Sequence, residues 1–472
     1  MAGTFIVGET KIRPGVYQRR YKEGSGAVAG ARNGIGLGLI RANWGPLNTV
    51  VDFTPDTNVT KIFGAGEGMT QNLITEMFTG GITKGHFVRV GTGGTAPTIT
   101  LKDTATTAAN VVTITGAYVG SRAFSVSIRD SLSGAGRECI IYEGTTEFAK
   151  VSFAADGAEA AGLVAAINNN LTDFVATKVA DGNGILATVT QSSMTAGTNP
   201  TVATQQYSDG LDALYSAFGN CLCVDTDDVA VHALVSAWVN RVYANGAYTI
   251  ACLSEAKSTE NTLSVRMGHA AAFNNEKIVY VLNGAVAVTG DTYAGWKNAA
   301  RIGGMIASVP SNQSLTHAVV AGYASLDETM TPSQIETALK SGCLVLSTNS
   351  AGQVWIEQGI NTLITPDGDM DPGWKKIRRV KTRFELMQRV ADTLDLLIGK
   401  VNNDPDGRAT IISAIKGVIA RMVGEKKLLQ GDAYEDETNP AQGDSAWFII
   451  AVDDIDSIEF VYLAYRFRFA AE

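Results

Sequence analysis

Between residues 208 and 366 short apolar runs alternate with amphipathic segments of helical period, and this rhythm constrains the fold more than any other feature. Cys221–Asp225, Tyr248–Leu253, Lys277–Leu282 and Leu344–Thr348 read as strands. Val229–Tyr243, Thr262–Phe273 and Tyr293–Ala307 read as helices, the first with Val231, Leu234, Val235, Trp238 and Val242 along one side. Strands that each wait for a helix before the next strand cannot be hairpins. The helix returns the chain to the same edge, which makes the sheet parallel and covers both of its faces.

The flanks break this rhythm, and 472 residues exceed what one core accommodates. Residues 1–22 read as an arm: Thr4–Val7 is β-prone, and Pro14-Gly15 breaks the extended stretch Arg13–Tyr17. Residues 23–92 form an α/β segment with a glycine-bearing strand at Ile35–Ala42, a helix at Met69–Thr79 and a strand at Phe87–Val90. Residues 93–207 are rich in Thr, Ala, Val, Ser and Gly. Strands at Val111–Thr115, Phe124–Ile128, Cys139–Tyr142 and Leu186–Thr190, with one helix at Ala158–Leu171, predict an inserted β-sandwich domain. Residues 367–472 predict an α+β domain with helices at Glu385–Val401 and Ala409–Leu428 and strands at Ala446–Val452 and Ile455–Phe469. The last strand is apolar on both faces: Ile458, Phe460 and Tyr462 point one way, and Val461, Leu463, Tyr465, Phe467 and Phe469 the other. The expected fold class is a multi-domain α/β chain with extended arms at both ends.

The net charge of −9 argues against a nucleic-acid binder, because gripping a phosphate backbone needs a basic stripe. An acidic surface also keeps a precursor from associating early. The five cysteines (Cys139, Cys221, Cys223, Cys252 and Cys343) are odd in number and scattered, which argues against a disulfide framework. Cys221 and Cys223 share a strand face but lack C-x-x-C spacing or a nearby His, so burial as small apolar groups is expected. No apolar run has signal-peptide or membrane-span length, which predicts folding in a cytoplasm without membrane insertion.

Motifs for catalysis are incomplete. Gly80 to Gly85 is followed by His86 and lacks the lysine of a phosphate-binding loop. Gly64-Ala65-Gly66-Glu67-Gly68 lacks the dinucleotide spacing. Thr348–Gly352 lacks the first glycine of a nucleophile elbow, and the four histidines (His86, His232, His269 and His317) form no pattern with a nucleophile. Asp367, Asp369 and Asp371 begin like a calcium loop, but Pro372 and Arg378 occupy the places that need glycine and a carboxylate, so a polar turn is expected. The chain is read as a non-enzyme with no cofactor and no metal. Lys375, Lys376, Arg378, Arg379, Lys381 and Arg383 form the one basic cluster, readable as a solvated strand edge or as a contact for an acidic protein surface.

Several groups, in order, resemble the contractile tail sheath family of phages and phage-tail-like bacteriocins. They are Arg13-Pro14-Gly15-Val16-Tyr17, Gly34–Leu39 with Trp44-Gly45-Pro46, Glu357-Gln358-Gly359-Ile360-Asn361-Thr362-Leu363, and Gly399-Lys400-Val401-Asn402-Asn403. The resemblance implies a subtilisin-like α/β core without a working protease site. It also implies a homo-oligomeric helical sheath around an inner tail tube protein, capped by baseplate and tail terminator proteins. Partner contacts would then fall on Arg13, Pro14, Gly15, Val16 and Tyr17 of one arm and on Ile458, Phe460, Tyr462, Tyr465 and Phe467 of the other. The basic cluster at 375–383 would be a candidate for facing the tube. Such a chain would be assembled in a host bacterial cytoplasm and reside in the sheath of a virion tail or bacteriocin particle. A surface-layer or adhesin-like assembly protein and, behind it, a subtilisin-like hydrolase are the competing readings.

Overall fold

The computed structural model describes residues 33–468 except 133 and 135, together with the backbone of Gly3–Thr4 and Tyr17–Gln18. The latter two pairs form a short parallel ladder. One compact unit holds residues 33–388 and the tail from Asp454; the other holds Arg389–Asp453 together with the two N-terminal pairs.

The first unit begins with β1 (Ile35–Ile40), β2 (Val50–Phe53) and β3 (Lys84–Arg89), with α1 (Val59–Phe63) and α2 (Asn72–Thr79) between β2 and β3. Gly36 and Gly38 let large side chains rest on the β1 backbone. A Cβ on Gly38 would sit 2.7 Å from the Phe87 ring, and one on Gly36 would sit 2.8 Å from Met77 and Ile82.

After Arg89 the chain leaves for the inserted segment. It contains β4 (Thr98–Lys102), β5 (Asn110–Gly116), β6 (Ser125–Asp130), β7 (Arg137–Glu143), β8 (Thr146–Phe153), α3 (Glu159–Asn170), β9 (Phe174–Lys178) and β10 (Val189–Ser193). These strands form two antiparallel sheets, ordered β8-β7-β6-β10 and β9-β5-β4. Inward residues of both sheets and Leu163 and Ile167 of α3 share one apolar core.

The chain then runs through α4 (Thr204–Ala213), β11 (Cys221–Val224), α5 (Val229–Ala244), β12 (Ile250–Ser254), α6 (Leu263–Phe273), β13 (Ile278–Val281), α7 (Trp296–Ser308), α8 (Pro332–Lys340) and β14 (Cys343–Leu344). The expected parallel sheet forms in the order β14-β13-β12-β11-β1-β3-β2, with β2 alone antiparallel to its neighbour. Alternate residues feed opposite cores, as a period of two requires. Cys221, Cys223, Cys252, Val279 and Val281 pack with Ala299, Ile302 and Ile306 of α7. Leu222, Val224, Ala251, Leu253 and Tyr280 pack with Val231, Val235 and Trp238 of α5. All five cysteines are buried and unbridged.

Three side chains join the inserted segment to the parallel-sheet core. Trp44, in the turn after β1, is fully buried among the sandwich aromatics, its ring centroid 4.9 Å from Phe124 and 5.3 Å from Tyr118. Arg89, at the exit of β3, is 0% exposed and donates to the carbonyls of Ala42, Gly45 and Val119 at 2.7–2.9 Å. These are all neutral acceptors, and burial lowers its pKa to about 10. Arg122 pairs in two-pronged fashion with Glu143 and reaches across to the Lys61 carbonyl at 2.8 Å.

The C-terminal stretch departs from expectation in two ways. The first helix, α9 (Ile377–Leu394), starts and ends earlier than Glu385–Val401, so the basic run from Arg378 to Arg383 lies on a helix and not on a strand edge. The other correction concerns the last strand. After α10 (Pro405–Gly424) come β15 (Leu428–Glu435) and β16 (Phe448–Asp454), which pair with each other, and residues 455–468 form no strand. They find no second strand to pair with.

Arg89→Met would keep the volume but leave three inward carbonyls without a donor. Each such loss costs about 1–3 kcal/mol. The variant is expected to unfold at clearly lower urea concentration than wild type, with tryptophan fluorescence as the readout.

Candidate functional site

Among the described residues no catalytic constellation gathers at the ends of the parallel strands. His232, in α5, is buried, and its Nε2 meets the Thr226 carbonyl at 2.9 Å. His269 meets Glu255 at 2.9 Å. His317 stacks flat on Trp355, with ring centroids 3.9 Å apart, and His86 pairs with Asp52. Asp225 is consumed by Arg41, Thr70 and Tyr207. Among the described residues no group of three His, Cys, Asp or Glu is arranged to hold a metal ion. No described helix is long and apolar enough to cross a membrane.

The distinctive feature is the tail after β16. From Phe460 to Arg468 its backbone belongs to no helix or strand, and its large apolar side chains stand in solvent. Phe460 is 67% exposed, Tyr462 92%, Tyr465 75% and Phe467 93%, with Ile458 at 87% just before them. Val461 and Leu463, on the other side, are equally bare. Tyr465 and Phe467, two residues apart on one side, stack with centroids 6.3 Å apart. A chain that exposes both faces of an alternating apolar strand presents a donor for another sheet.

The root of this tail is held. Asp454 accepts from Arg379 Nε at 2.8 Å and Nη2 at 2.5 Å, and from Arg383 at 3.2–3.3 Å. Asp456 accepts from Lys376 at 2.8 Å. Glu459 accepts from the Ser314 and Thr316 hydroxyls at 3.3 and 3.0 Å and from the Gln358 amide at 3.1 Å, with Lys376 at 3.3 Å. Burial alone would raise the Asp454 pKa, but hydrogen bonds from Arg379 and Arg383 hold it below the usual carboxylate range. Glu459 is also lowered: burial opposes this, and the Gln358 amide and the Lys376 charge outweigh it. Arg378, only 6% exposed, lies amid these carboxylates, and desolvation lowers its pKa against their pull.

The basic cluster is thus engaged within the chain. Lys376, Arg379 and Arg383 hold the tail root, and Asp371 meets Arg379 and Arg383 at 3.6 and 2.8 Å. Lys381 is buried, with its ammonium on the carbonyls of Ile306, Ala307 and Val309. Lys375 donates to the Leu339 carbonyl. Arg13, Pro14, Gly15 and Val16 lie outside the described residues, and Tyr17 contributes only its place in the short ladder. Sequence reasoning missed Asp454, Asp456, Glu459, Ser314, Thr316 and Asp371 as partners. The available signal was the acidic spacing of 454, 456 and 459 against the basic run at 375–383.

The Glu357–Leu363 stretch has a structural role. Asn361 and Thr362 are fully buried. Asn361 donates to the Glu276 and Trp374 carbonyls, Thr362 to the Asn275 and Ile278 carbonyls, and Gln358 reaches the tail at Glu459. The Gly399–Asn403 stretch follows α9, where Asn403 donates to the Gly443 and Ser445 carbonyls in the β15–β16 connection.

Residues 201–362 match the family described as the phage tail sheath protein central domain. The tail sheath protein of Clostridium phage phiCD119 is 24% identical over 224 residues, 46% of this chain and 57% of that protein. The chain therefore spans little more than half the length of this curated relative. A sheath tail protein from Desulfitobacterium hafniense, known from a crystal structure, superposes with a TM-score of 0.69 at 18% identity, covering 93% of this chain and all of that one. One from Listeria innocua gives 0.67 at 15%, covering 90% and 96%. The helical sheath of the anti-feeding prophage in its contracted state gives 0.56 at 10%, covering 97% and 99%. The sheath resemblance read from the motifs is thus met again over residues 201–362, and the mixed α/β architecture is shared with sheath structures.

Asp454→Ala leaves Arg379 and Arg383 facing Asp371 alone. Removing one member of a largely buried pair costs about 3 kcal/mol, and a correspondingly lower urea midpoint is expected. Because the folded pKa values of Asp454 and Glu459 lie below their unfolded values, their contribution is fully present above the ordinary carboxylate range. It disappears as pH falls through the depressed values, so wild type should lose it only in acid, and Asp454→Ala should show a flatter acid limb.

Proposed function

We propose that this chain is a subunit of a contractile tail sheath, polymerised around an inner tail tube by donation of its terminal arms to neighbouring copies. The observation that carries the reading is the bare tail at 460–468, joined to a core whose residues 201–362 match the sheath family. Each backbone hydrogen bond added in a shared sheet nets only about 1 kcal/mol. Alternate side chains entering a neighbour's surface add apolar burial at about 25 cal/mol per Å². Multiplied over a lattice, these contacts hold while subunits rotate. Identical head-to-tail contacts that do not close build an open helix.

The acceptor in this reading is the two-stranded sheet β15–β16. Among the described residues each strand has an edge with no further strand on it, Leu429, Tyr434, Trp447, Ile449 and Ile450 are exposed, and Leu428 and Ala433 are buried. A groove of about 610 Å³ opens along Gln430–Asp432 and Ile450–Asp453. Residues 428–454 carry Asp432, Glu435, Asp436, Glu437, Asp444, Asp453 and Asp454 and no Lys or Arg. The arms are basic, with Lys11, Arg13, Arg19, Arg20 and Lys22 at one end and Arg466 and Arg468 at the other. Opposite charge favours the encounter between copies.

Contraction would be a rigid-body passage from an extended lattice to a more stable compact one, with no nucleotide consumed. The subtilisin-like fold of the core, the tube-facing role of the 375–383 region, and the baseplate and terminator partners belong to the same reading. So does a place in a phage tail or bacteriocin particle assembled in a bacterial cytoplasm.

A chain truncated after Glu459 is expected to stay folded by circular dichroism and to form no tubes under negative stain, where the full chain forms them. Deletion of residues 1–20 should act the same way. Tubes of normal length from either truncated protein would refute arm donation.

A further inference from the structure

We infer that residues 454–459 are an anchor that fixes the point at which the arm leaves its own subunit. The purpose assigned to it rests on the arm-donation reading, but the anchor itself stands on the geometry of this chain.

The transition is abrupt. The Glu459 side chain is 5% exposed, and the next residue, Phe460, is 67% exposed. Three parts of the chain converge on the segment. The start of α9 and the residue just before it supply Arg379, Arg383 and Lys376; the turn at 314–316 supplies two hydroxyls; and Gln358 supplies an amide. Asp371 sits against the same two arginines, so they remain aimed at Asp454.

All of these contacts are polar, and that division has a physical reason. Hydrogen-bonded ion pairs are directional and hold one register. They hold the root without using any apolar side chain of the arm beyond it. Ile458, within the anchor, points away and is 87% exposed. An apolar dock would compete with the neighbour for the arm, whereas a polar one leaves its sticky faces free.

The anchor also limits reach. An extended chain covers about 3.4 Å per residue, so residues 460–468 span at most about 30 Å. Freeing 454–459 would add about 20 Å of slack. With the root held, only acceptors within the shorter radius can be reached, and a pull on the arm is transmitted to α9 and not lost in a loose linker. The carboxylates that do the holding, Asp454 and Glu459, have lowered pKa values. They face Lys376, Arg378, Arg379 and Arg383 from α9 and its approach, and Ser314, Thr316 and Gln358 from the other segments. The anchor is therefore closed throughout the neutral range and is not a physiological pH switch.

Limited proteolysis of the full chain before polymerisation tests this. Trypsin should cut after Arg466 readily in wild type and in Lys376→Ala/Arg379→Ala, because the arm is free in both. Glutamyl endopeptidase should spare Glu459 in wild type while cutting the exposed Glu437, and should cut after Glu459 at least ten-fold faster in the double variant. Wild-type cleavage at Glu459 as fast as at Glu437 would overturn the anchor, and this result does not depend on the variant folding. An unchanged rate at Glu459 in a folded variant would overturn it too. Tube formation is scored separately: a protected Glu459 in a full chain that never forms tubes would uphold the anchor and sink arm donation instead.

Discussion

Backbone amides and carbonyls in an extended chain require partners, and large apolar side chains require cover. Among the described residues, 460–468 find neither. The parallel sheet meets both demands internally: each strand is paired, and its two faces are covered by α7 on one side and α5 on the other. The tail leaves both unmet. That contrast within one chain is what the arm-donation proposal draws on, and it gives the polar root its significance as the boundary between the two regimes.

The parallel core was legible because its signal is redundant. Val229–Ala244 declares itself by apolar spacing and by the strand it follows, and its boundaries match expectation within a residue. The sandwich strands at Val111–Thr115 and Cys139–Tyr142 were found by alternation alone and run slightly longer, since pairing extends beyond the apolar stretch. Leu428–Glu435 was not recognised as a strand. Its sequence, LLQGDAYE, has little β-branching, and it pairs because β16 lies beside it.

The tail root was hidden for a different reason. Asp454, Asp456 and Glu459 meet partners on three separate stretches of sequence, and nothing local in DDIDSIE announces a dock. The basic run at 375–383 was visible, but its charge count could not reveal that Lys381 is buried under three carbonyls while Arg379 and Arg383 share the carboxylates of Asp454 and Asp371. Spacing reports which side chains share a face; it does not report which distant segment meets them. The motif at Glu357–Leu363 was recognised as a pattern, and only the coordinates explain it, as a buried hydrogen-bond knot whose Gln358 extends to the tail.

The carbonyl cage around Arg89, with Trp44 set into the sandwich core, makes the inserted segment and the parallel sheet a single mechanical piece. A hinge would need a gap that these side chains fill. Any turn of the core therefore sweeps the sandwich through the same angle, and the hairpin tip at Leu132, 86% exposed, travels an arc proportional to its distance from the pivot. In a crowded array the clearance between such tips would act as a mechanical stop, giving a lobe with no chemistry of its own a say in how far a lattice can wind.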